Sequence, residues 1–145
     1  MAKQQFCTFY LADRLLGIEV LKIQEVMQHQ QVTAVPLAPA VVCGLLNLRG
    51  SIVTTIDLRG RFGMQALDGG ELPTNIVCQT EGGLVSLLVD RIGDVVEVEN
   101  SDFEAPPETL RGTARELIEG VYMLPAGLMS VVNIERVVDL EPARA

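Results

Sequence analysis

The sequence predicts a mostly β fold, in which two small and similar units share one apolar interface and short helices follow the strands. Four pairs of strand-forming segments are joined by short turns, a pattern that favours closed or half-closed antiparallel barrels. The segment from Gly44 to Leu58 also matches the segment from Gly120 to Ile134 at a shift of 76 residues. A second echo relates residues 18–26 to residues 87–95 at a shift of 69 residues, and both echoes keep the same order.

Chance is the alternative explanation of these echoes, because alternating apolar residues and capped helices produce resemblances of this kind. The matching turn-forming and cap-type residues, Gly44 with Gly120 and Asp57 with Asn133, favour a true duplication. Units of about 65 residues are marginally stable alone, so we expect the two to pack on each other through an apolar face.

The chain starts with a predicted hairpin, in which residues 5–11 and 15–20 form strands around the turn 12–14. Residues 20–27 place apolar side chains at helical spacing, which fits either one or two helical turns or a bent edge strand. Pro39 is well placed to open a short helix that stops at Gly44.

The next hairpin, "LLNLRGSIVTTI", has Arg49 and Gly50 at its turn. Asp57 follows its second strand and is predicted to cap a short helix. Residues 64–74 contain glycines, a proline and acids, and form the clearest connector.

The second half repeats this order of elements. Residues 75–89 predict a hairpin that turns at Gly82 and Gly83, and residues 94–99 predict a further strand. The string "APPE" interrupts the chain before the last hairpin, "LIEGVYMLPAGLMSVVNI", and Asn133 is predicted to cap the final helix.

The composition excludes several classes of protein. The net charge of −8 disfavours nucleic acid and anionic lipid as partners. No apolar run approaches the roughly 20 residues of a membrane-spanning helix, and the N-terminal residues do not read as a signal peptide. The three cysteines are widely spaced without a CxxC pair, so we expect reduced thiols in the cytoplasm rather than disulfides or zinc.

Catalytic motifs are missing from the sequence. The single histidine, His29, lies in the polar stretch "QHQQ" and is expected to be solvated. There is no GxSxG, HExxH, P-loop or GxGxxG motif. Glu97 and Glu99 alternate with valines on a predicted strand, which favours a solvated face over acid–base chemistry. We therefore expect no enzyme, no metal and no cofactor.

Glu25 and Arg49 are the most informative charged residues. Glu25 lies between apolar residues in "KIQEVM", and Arg49 lies at the tip of a hairpin whose strands are aliphatic. A partly buried ion pair between them would tie the segment 20–27 to the hairpin and fix its register. The alternative is a turn arginine in water and an exposed glutamate.

Five segments of the chain resemble the CheW family, the coupling proteins of bacterial chemotaxis arrays. The segments cover nearly the whole chain in family order, and the spacing of the two prolines, the glycine and the string NLRG is highly specific. They are "GIEVLKIQEVM", "TAVPLAPAVVCGLLNLRG", "IVTTIDLRGRFG", "LLVDRIGDVVEV" and "IEGVYMLPAGLMSVVNIERVV".

The resemblance implies a single domain, residues 1–145, of two five-stranded SH3-like barrels packed about a hydrophobic interface. The first barrel would hold approximately residues 12–65 with the C-terminal helix 134–145. The second would hold approximately residues 1–11 and 66–133. The family often has proline in the strand before "DLR", where this chain has Thr54 and Thr55, so we expect a local change in edge pairing.

The resemblance also implies a non-catalytic cytoplasmic adaptor that bridges the tip of a methyl-accepting chemotaxis receptor to the regulatory domain of a CheA-like histidine kinase. A receptor helix would lie in an apolar groove between the barrels. The receptor-sensitive positions of the family correspond here to Ile23, Glu25, Gly44, Arg49 and Val95. Gly44 would leave room for the receptor helix, or would cap a helix.

Two alternatives stay open from the sequence. The chain could be a paralogue that serves twitching or gliding motility or another chemosensory pathway, or an excised kinase regulatory domain. It could instead be a small-molecule-binding barrel or an unrecognised hydrolase. For contact with the kinase only the first barrel is indicated, because aliphatic residues such as Leu16, Ile18 and Val53 do not reveal whether they face the core or a partner.

Overall fold

The computed structural model describes residues 2–28, 30–65 and 72–140 of the protein. Ten strands and three short helices lie within these residues. The strands are β1 Lys3–Leu11, β2 Arg14–Glu19, β3 Ile23–Gln28, β4 Val42–Leu48, β5 Ser51–Asp57, β6 Thr74–Thr80, β7 Gly83–Val89, β8 Arg91–Glu99, β9 Ile118–Leu124 and β10 Gly127–Val132. The helices are α1 Leu58–Arg61, α2 Gly112–Leu117 and α3 Ile134–Val137.

The strands form two five-stranded sheets with equivalent topology. The central sheet has the order β3-β6-β7-β5-β4, and the terminal sheet, which contains strands from both ends of the chain, has the order β8-β1-β2-β10-β9. Each has one parallel contact, β5 with β7 and β10 with β2, among antiparallel neighbours. This confirms the predicted mostly β fold of two SH3-like barrel subdomains with short helices.

The two sequence echoes coincide with this structural equivalence. A shift of 76 residues carries the ranges of β4 and α1 onto those of β9 and α3. The breaks in strand register also repeat: the break at Val42/Gly44 reappears at the matching residues of β9. Chance resemblance does not reproduce bulges at matching positions, so the chain contains a true structural duplication.

Each sheet combines strands from both copies of the repeat. The first copy runs from β1 to α1 and the second from β6 to α3. The central sheet takes β3–β5 from the first copy and the hairpin β6–β7 from the second. The terminal sheet takes β8–β10 from the second copy and the hairpin β1–β2 from the first. The two copies therefore exchange hairpins within one chain.

This exchange differs from the expected division into residues 12–65 with 134–145, and residues 1–11 with 66–133. β2 pairs with β1 in the terminal sheet, and β6 and β7 belong to the central sheet. The boundary at residue 12 fails because the two-residue turn 12–13 keeps β1 and β2 together. The boundary at residue 66 fails because β6 and β7 pair with β3 and β5 of the first copy. Residues 141–145 of the expected helix lie outside the described residues.

Other local predictions have mixed outcomes. The four hairpins are present, and the side chains of Asp57 and Asn133 accept hydrogen bonds from backbone amides of α1 and α3, as expected of N-caps. The helix predicted between Pro39 and Gly44 is wrong, because β4 starts at Val42. Helix α2 was not expected. His29 and residues 66–71 of the connector lie outside the described part of the chain.

Segment 20–27 takes the second of its two predicted forms. A short 3-10 turn, Val20–Lys22, leads into β3, the outermost strand of the central sheet. The apolar residues at helical spacing therefore belong to a bent strand. The expected change in edge pairing at Thr54 and Thr55 does not occur, because β5 pairs with both β4 and β7.

Three apolar clusters lie among the residues that the structure describes. The largest lies between the sheets and takes residues from both, including Phe9 and Ile18 of the terminal sheet and Ile76 and Leu87 of the central sheet. Two smaller clusters lie within single sheets. The terminal sheet contributes Phe6, Val98, Tyr122, Met129 and Val131; the central sheet contributes Leu46, Leu48, Val53 and Val77. Leu16, Ile18 and Val53 are buried in these clusters and do not face a partner.

Candidate partner-binding site

Glu25 and Arg49 form the ion pair that the sequence suggested. The Arg49 Nη1 and Nη2 atoms donate to Glu25 Oε1 and Oε2 at 2.7 and 2.9 Å, a bidentate contact. It joins β3 to the tip of the β4–β5 hairpin, on opposite edges of the central sheet. The bidentate geometry fixes the planar guanidinium in one orientation.

The hairpin turn holds Arg49 in an unusual backbone conformation. Arg49 has φ +50° and is followed by Gly50 with φ +90°, and the Gly50 amide donates to Asn47 Oδ1 at 2.9 Å. Positive φ is uncommon for a residue with a side chain and favours Gly, Asn or Asp. Arg49 therefore occupies a turn position that more often holds a smaller residue.

The pair lies at the surface. The Arg49 side chain is 71% exposed, and that of Glu25 is 25% exposed. The hydrogen bonds from Arg49, together with its charge, lower the pKa of Glu25 although partial desolvation acts in the opposite direction. Because water screens an exposed pair, this contact contributes little to folding stability. Its main effect is to present a guanidinium face in a defined orientation.

The other expected site residues lie in different surroundings. Ile23 is half-buried on β3, two residues before Glu25, and packs against the large apolar cluster between the two sheets. Val95 is exposed on β8, the strand of the terminal sheet that corresponds to β3. Val26 occupies the position on β3 that matches Val95 and is exposed as well.

Gly44 has an internal role. It is buried within β4 at φ +151°, and a Cβ atom there would collide with the carbonyl oxygen of Thr33, which bridges to β4 through Leu45. The equivalent Gly120 lies under the backbone of Glu104 in the same way. Because both glycines lack a side chain, another segment of the same chain can pass close to the strand at each of them. The expectation that Gly44 caps a helix is therefore wrong, and internal packing accounts for the missing side chain.

Sequence reasoning missed a second ion pair, between Arg59 of α1 and Asp90, which follows β7. The Arg59 Nε atom donates to Asp90 Oδ1 at 2.7 Å, and the Ala12 amide donates to Asp90 Oδ2 at 2.6 Å. The two ionic side chains are 14% and 9% exposed. Burial acts to raise the pKa of Asp90, but these hydrogen bonds and the charges of Arg59 and Arg91 lower it overall. The pair ties the two sheets together.

Several exposed apolar residues were also missed. Leu21 is 93% exposed on the turn before β3, and Ile52 is 73% exposed beside the tip of the β4–β5 hairpin. Ile52 also lines a groove of about 470 Å³ with residues of β4 and of segment 31–33. Strand alternation could have predicted the exposure of Ile52, because Ile52 directly precedes Val53 and the two side chains point to opposite faces of the strand.

The three cysteine thiols are not activated. Burial raises the pKa of each thiol, and that of Cys78 reaches about 12, so none is a ready nucleophile at neutral pH. No group of three or more potential ligands is placed to hold a metal ion within residues 2–28, 30–65 and 72–140. In the same residues, no helix has the length and apolar character of a membrane span.

Comparison with known proteins agrees with the fold. The protein-family model of the CheW-like domain matches residues 5–141 of this chain. The chain is 33% identical over 138 residues to the chemotaxis protein CheW of Klebsiella aerogenes, covering 95% of this chain and 83% of that protein. It is 32% identical over 136 residues to the chemotaxis protein CheW of Treponema pallidum, covering 91% of this chain and 80% of that protein.

A solved structure has the same architecture. The crystal structure of the scaffolding protein TtCheW from Thermoanaerobacter tengcongensis superposes with a TM-score of 0.88 at 24% identity, covering 97% of this chain and 95% of that one. At this identity the match concerns the fold, whereas the family model and the two CheW relatives concern descent. The chain therefore belongs to the CheW-like family of chemotaxis adaptor proteins.

Proposed function

We propose that this protein couples chemoreceptors to a CheA-type histidine kinase in the cytoplasm, as a rigid adaptor without a catalytic step. The observation that carries the proposal is the exposed, bidentate Glu25–Arg49 pair on a hairpin tip with positive φ. Its relatives are named as chemotaxis proteins, and the TtCheW structure is described as a scaffolding protein. Both descriptions support an adaptor.

The proposed receptor contact includes the Arg49 guanidinium and the exposed apolar side chains on the two corresponding outer strands. Val95 on β8 would provide an apolar contact, and Ile23 would support β3 from below. An amphipathic helix from a receptor tip would contact an apolar surface and find one charged anchor beside it. Arginine is a frequent anchor of such interfaces because its stem packs while its head binds.

The kinase contact is proposed on the central sheet, which corresponds most closely to the first barrel expected from the sequence. Exposed Ile52 and the groove beside it lie on this sheet, on the hairpin that carries Arg49. An adaptor needs two surfaces on one body, and heterologous contacts of that kind can close into rings with the kinase domain.

The test is receptor-stimulated kinase activity in a reconstituted array with Arg49→Ala. We expect about a tenfold loss of stimulation with an unchanged melting temperature, because the pair is exposed and its loss removes a contact rather than a core group. Lys3→Ala is the matched control, since Lys3 and Glu97 form an exposed ion pair on the terminal sheet at 3.8 Å.

A charge-reversed double variant, Glu25→Arg with Arg49→Glu, sharpens the test. It can re-form the ion pair but presents a carboxylate where the guanidinium was, so we expect it to fold and to remain uncoupled. Wild-type stimulation by Arg49→Ala, or by the reversed variant, would rule out the role given to Arg49.

A further inference from the structure

A second concave site lies on the terminal sheet, apart from Arg49 and its hairpin. It has a volume of about 250 Å³, below the roughly 300–1,000 Å³ of pockets that enclose drug-sized ligands. Its size suits a single side chain. We call it the aromatic–acidic pocket; its lining residues are Gln4, Phe6, Glu19, Asn100, Phe103, Glu119, Tyr122 and Val131.

Three aromatic rings form the floor of the aromatic–acidic pocket. The Tyr122 ring lies 5.5 Å from that of Phe6 and 5.4 Å from that of Phe103, centroid to centroid, with both pairs tilted. Phe103 can lie there because position 120 is glycine, where any Cβ atom would collide with its ring. Phe103 is 43% exposed and is the ring that offers a face to the pocket, whereas Phe6 and Tyr122 are each only 2% exposed.

The hydroxyl of Tyr122 is the polar group of this floor. Tyr122 is 2% exposed, and its side chain has no hydrogen-bond partner within the described residues. The Tyr122 oxygen is not a fully buried unpartnered atom, unlike that of Thr55 among the described residues, so it reaches the pocket and is open to solvent there. A donor that enters the pocket can therefore bind it in place of water.

The rim of the pocket carries uncompensated negative charge. Glu19 and Glu119 line it, and neither has an ion-pair partner in the part of the chain that the structure describes, where Lys3, Arg49 and Arg59 pair with other carboxylates. Burial raises the pKa of Tyr122, and the charges of Glu19, Asp102 and Glu119 raise it further. A cation entering the pocket would meet a favourable potential.

The matching positions of the central sheet lack this aromatic and acidic character. The position of the central sheet that corresponds to Tyr122 is Leu46, which fills an equivalent small cluster with aliphatic neighbours. The positions that correspond to Glu19 and Glu119 are Leu88 and Cys43. The aromatic and acidic character belongs to one sheet only, so a requirement shared by the two sheets does not explain it.

We propose that the aromatic–acidic pocket binds the guanidinium group of an arginine side chain presented by another polypeptide. A guanidinium stacks on aromatic rings, donates in plane to two carboxylates and supplies N–H donors to the Tyr122 oxygen. A lysine ammonium would satisfy the charge but lacks the flat face that can stack on the exposed Phe103 ring. The site is independent of the proposed receptor and kinase coupling.

The small number of tyrosines allows the proposal to be tested by ¹⁹F NMR. The chain has two tyrosines, so 3-fluorotyrosine labelling gives two ¹⁹F resonances, from Tyr122 and Tyr10. Tyr10 serves as the internal reference because its ring is already covered by Arg91, 4.3 Å from the ring centroid. The titrant is N-acetyl-arginine amide, with its neutral analogue N-acetyl-citrulline amide as control.

We expect the arginine compound to shift the Tyr122 resonance saturably, with a millimolar dissociation constant, and to leave Tyr10 unmoved. Glu19→Gln with Glu119→Gln should weaken binding about tenfold, because charge-assisted hydrogen bonds are lost. Glu97→Gln, an exposed change elsewhere on the terminal sheet, should leave it unchanged.

Three outcomes would overturn the proposal. One is a Tyr122 shift as large with citrulline as with arginine. Another is a dissociation constant unaffected by the double variant. The third is binding of free arginine about tenfold tighter than its capped amide, which would point to a small metabolite and against a side chain of a polypeptide.

Discussion

The central and terminal sheets have the same strand order but differ in chemistry at matching positions. The partner of Glu25 in the central sheet is Arg49, whereas the corresponding residues of the terminal sheet are Asp94 and Pro125, which cannot form an ion pair. The terminal sheet folds without one. The comparison therefore separates what the architecture requires from what one surface has gained, and it places the Glu25–Arg49 pair in the second class.

The same comparison identifies residues that the architecture does require. Gly17 of the terminal sheet would collide through a Cβ atom with Sδ of Met129, at 2.6 Å. The corresponding pair in the central sheet is Ser86 with Val53. Ser86 is larger than Gly17, and Val53 is smaller than Met129. Total volume is conserved across the parallel strand pair, as close packing demands.

The largest expected effect comes from undoing the hairpin exchange. Deleting residues 2–19 removes β1 and β2, including the fully buried Phe9 and Ile18, so we expect no cooperative unfolding transition. A circular permutant should restore it, starting at Val20 and carrying residues 2–19 after residue 140 through a linker. The linker should have the length of the 62–73 connection between α1 and β6. Circular dichroism during a urea titration measures the unfolding transition of each variant.

If the deleted chain unfolds cooperatively at the wild-type midpoint, or the permutant does not fold, the proposed equivalence of the two copies would be refuted. The permutant is informative because it changes connectivity and retains every strand pairing.

Gly44→Ala and Gly120→Ala test the close backbone contacts at these glycines, one in each sheet. We expect Gly44→Ala to lower the free energy of unfolding by about 3 kcal/mol or more, because a collision adds to a left-handed backbone at φ +151°. Gly120→Ala should cost less, about 1–3 kcal/mol, since Gly120 collides with the backbone of Glu104 in the same way but lacks the positive φ of Gly44. Gly82→Ala, where a Cβ atom would meet only Thr80 Oγ1 at 3.9 Å, is the control for chemical denaturation. Equal, small losses at Gly44 and Gly82 would contradict the packing explanation.

Asp90→Asn tests the tie between the sheets, which lacks a counterpart because the matching residues are Leu21 and Glu135. We expect a loss of about 2–4 kcal/mol near neutral pH, because Arg59 is left with a weaker partner. The pKa of Asp90 is lower in the folded chain, so its contribution is present above about pH 4 and is lost as the pH falls through the folded value. The difference between variant and wild type should therefore shrink in acid; a constant difference would show that charge is not its cause.

Thr55→Val is the smallest expected effect and has the opposite sign. Thr55 is fully buried, and its hydroxyl has no hydrogen-bond partner within the described residues. The matching residue of the terminal sheet is Val131, which is buried in an apolar cluster. We expect a gain of about 1 kcal/mol in thermal or chemical unfolding, because an unsatisfied polar group is replaced by its isostere. A loss of stability would show that the hydroxyl is satisfied in solution.

Local patterns predicted the strands well because turn residues and alternation act over a few residues. The hairpins and the caps at Asp57 and Asn133 are examples. The helix predicted after Pro39 failed because Val42 and Gly44 pair with β5, and a pairing of that kind leaves little trace in the local sequence. The barrel boundaries failed for a related reason, since the exchange of hairpins is a long-range property.

The candidate site was predicted in part. The charges and flanking residues of Glu25 and Arg49 indicated a pair, and the geometry confirms it. Gly44 had the same appearance in the sequence as a partner-facing glycine, but only the fold reveals which backbone crosses it. The Arg59–Asp90 pair joins residues 31 positions apart with no repeat to mark them, so no sequence signal announced it.

The exchange of hairpins has a mechanical consequence. Two domains joined by one linker can swivel, whereas here the backbone passes from one sheet to the other at both residues 20–22 and Asp90. The two passages, together with the apolar cluster that both sheets share, restrict rotation of one sheet against the other more than a single linker would. We expect a load applied to one sheet to reach the other through both passages.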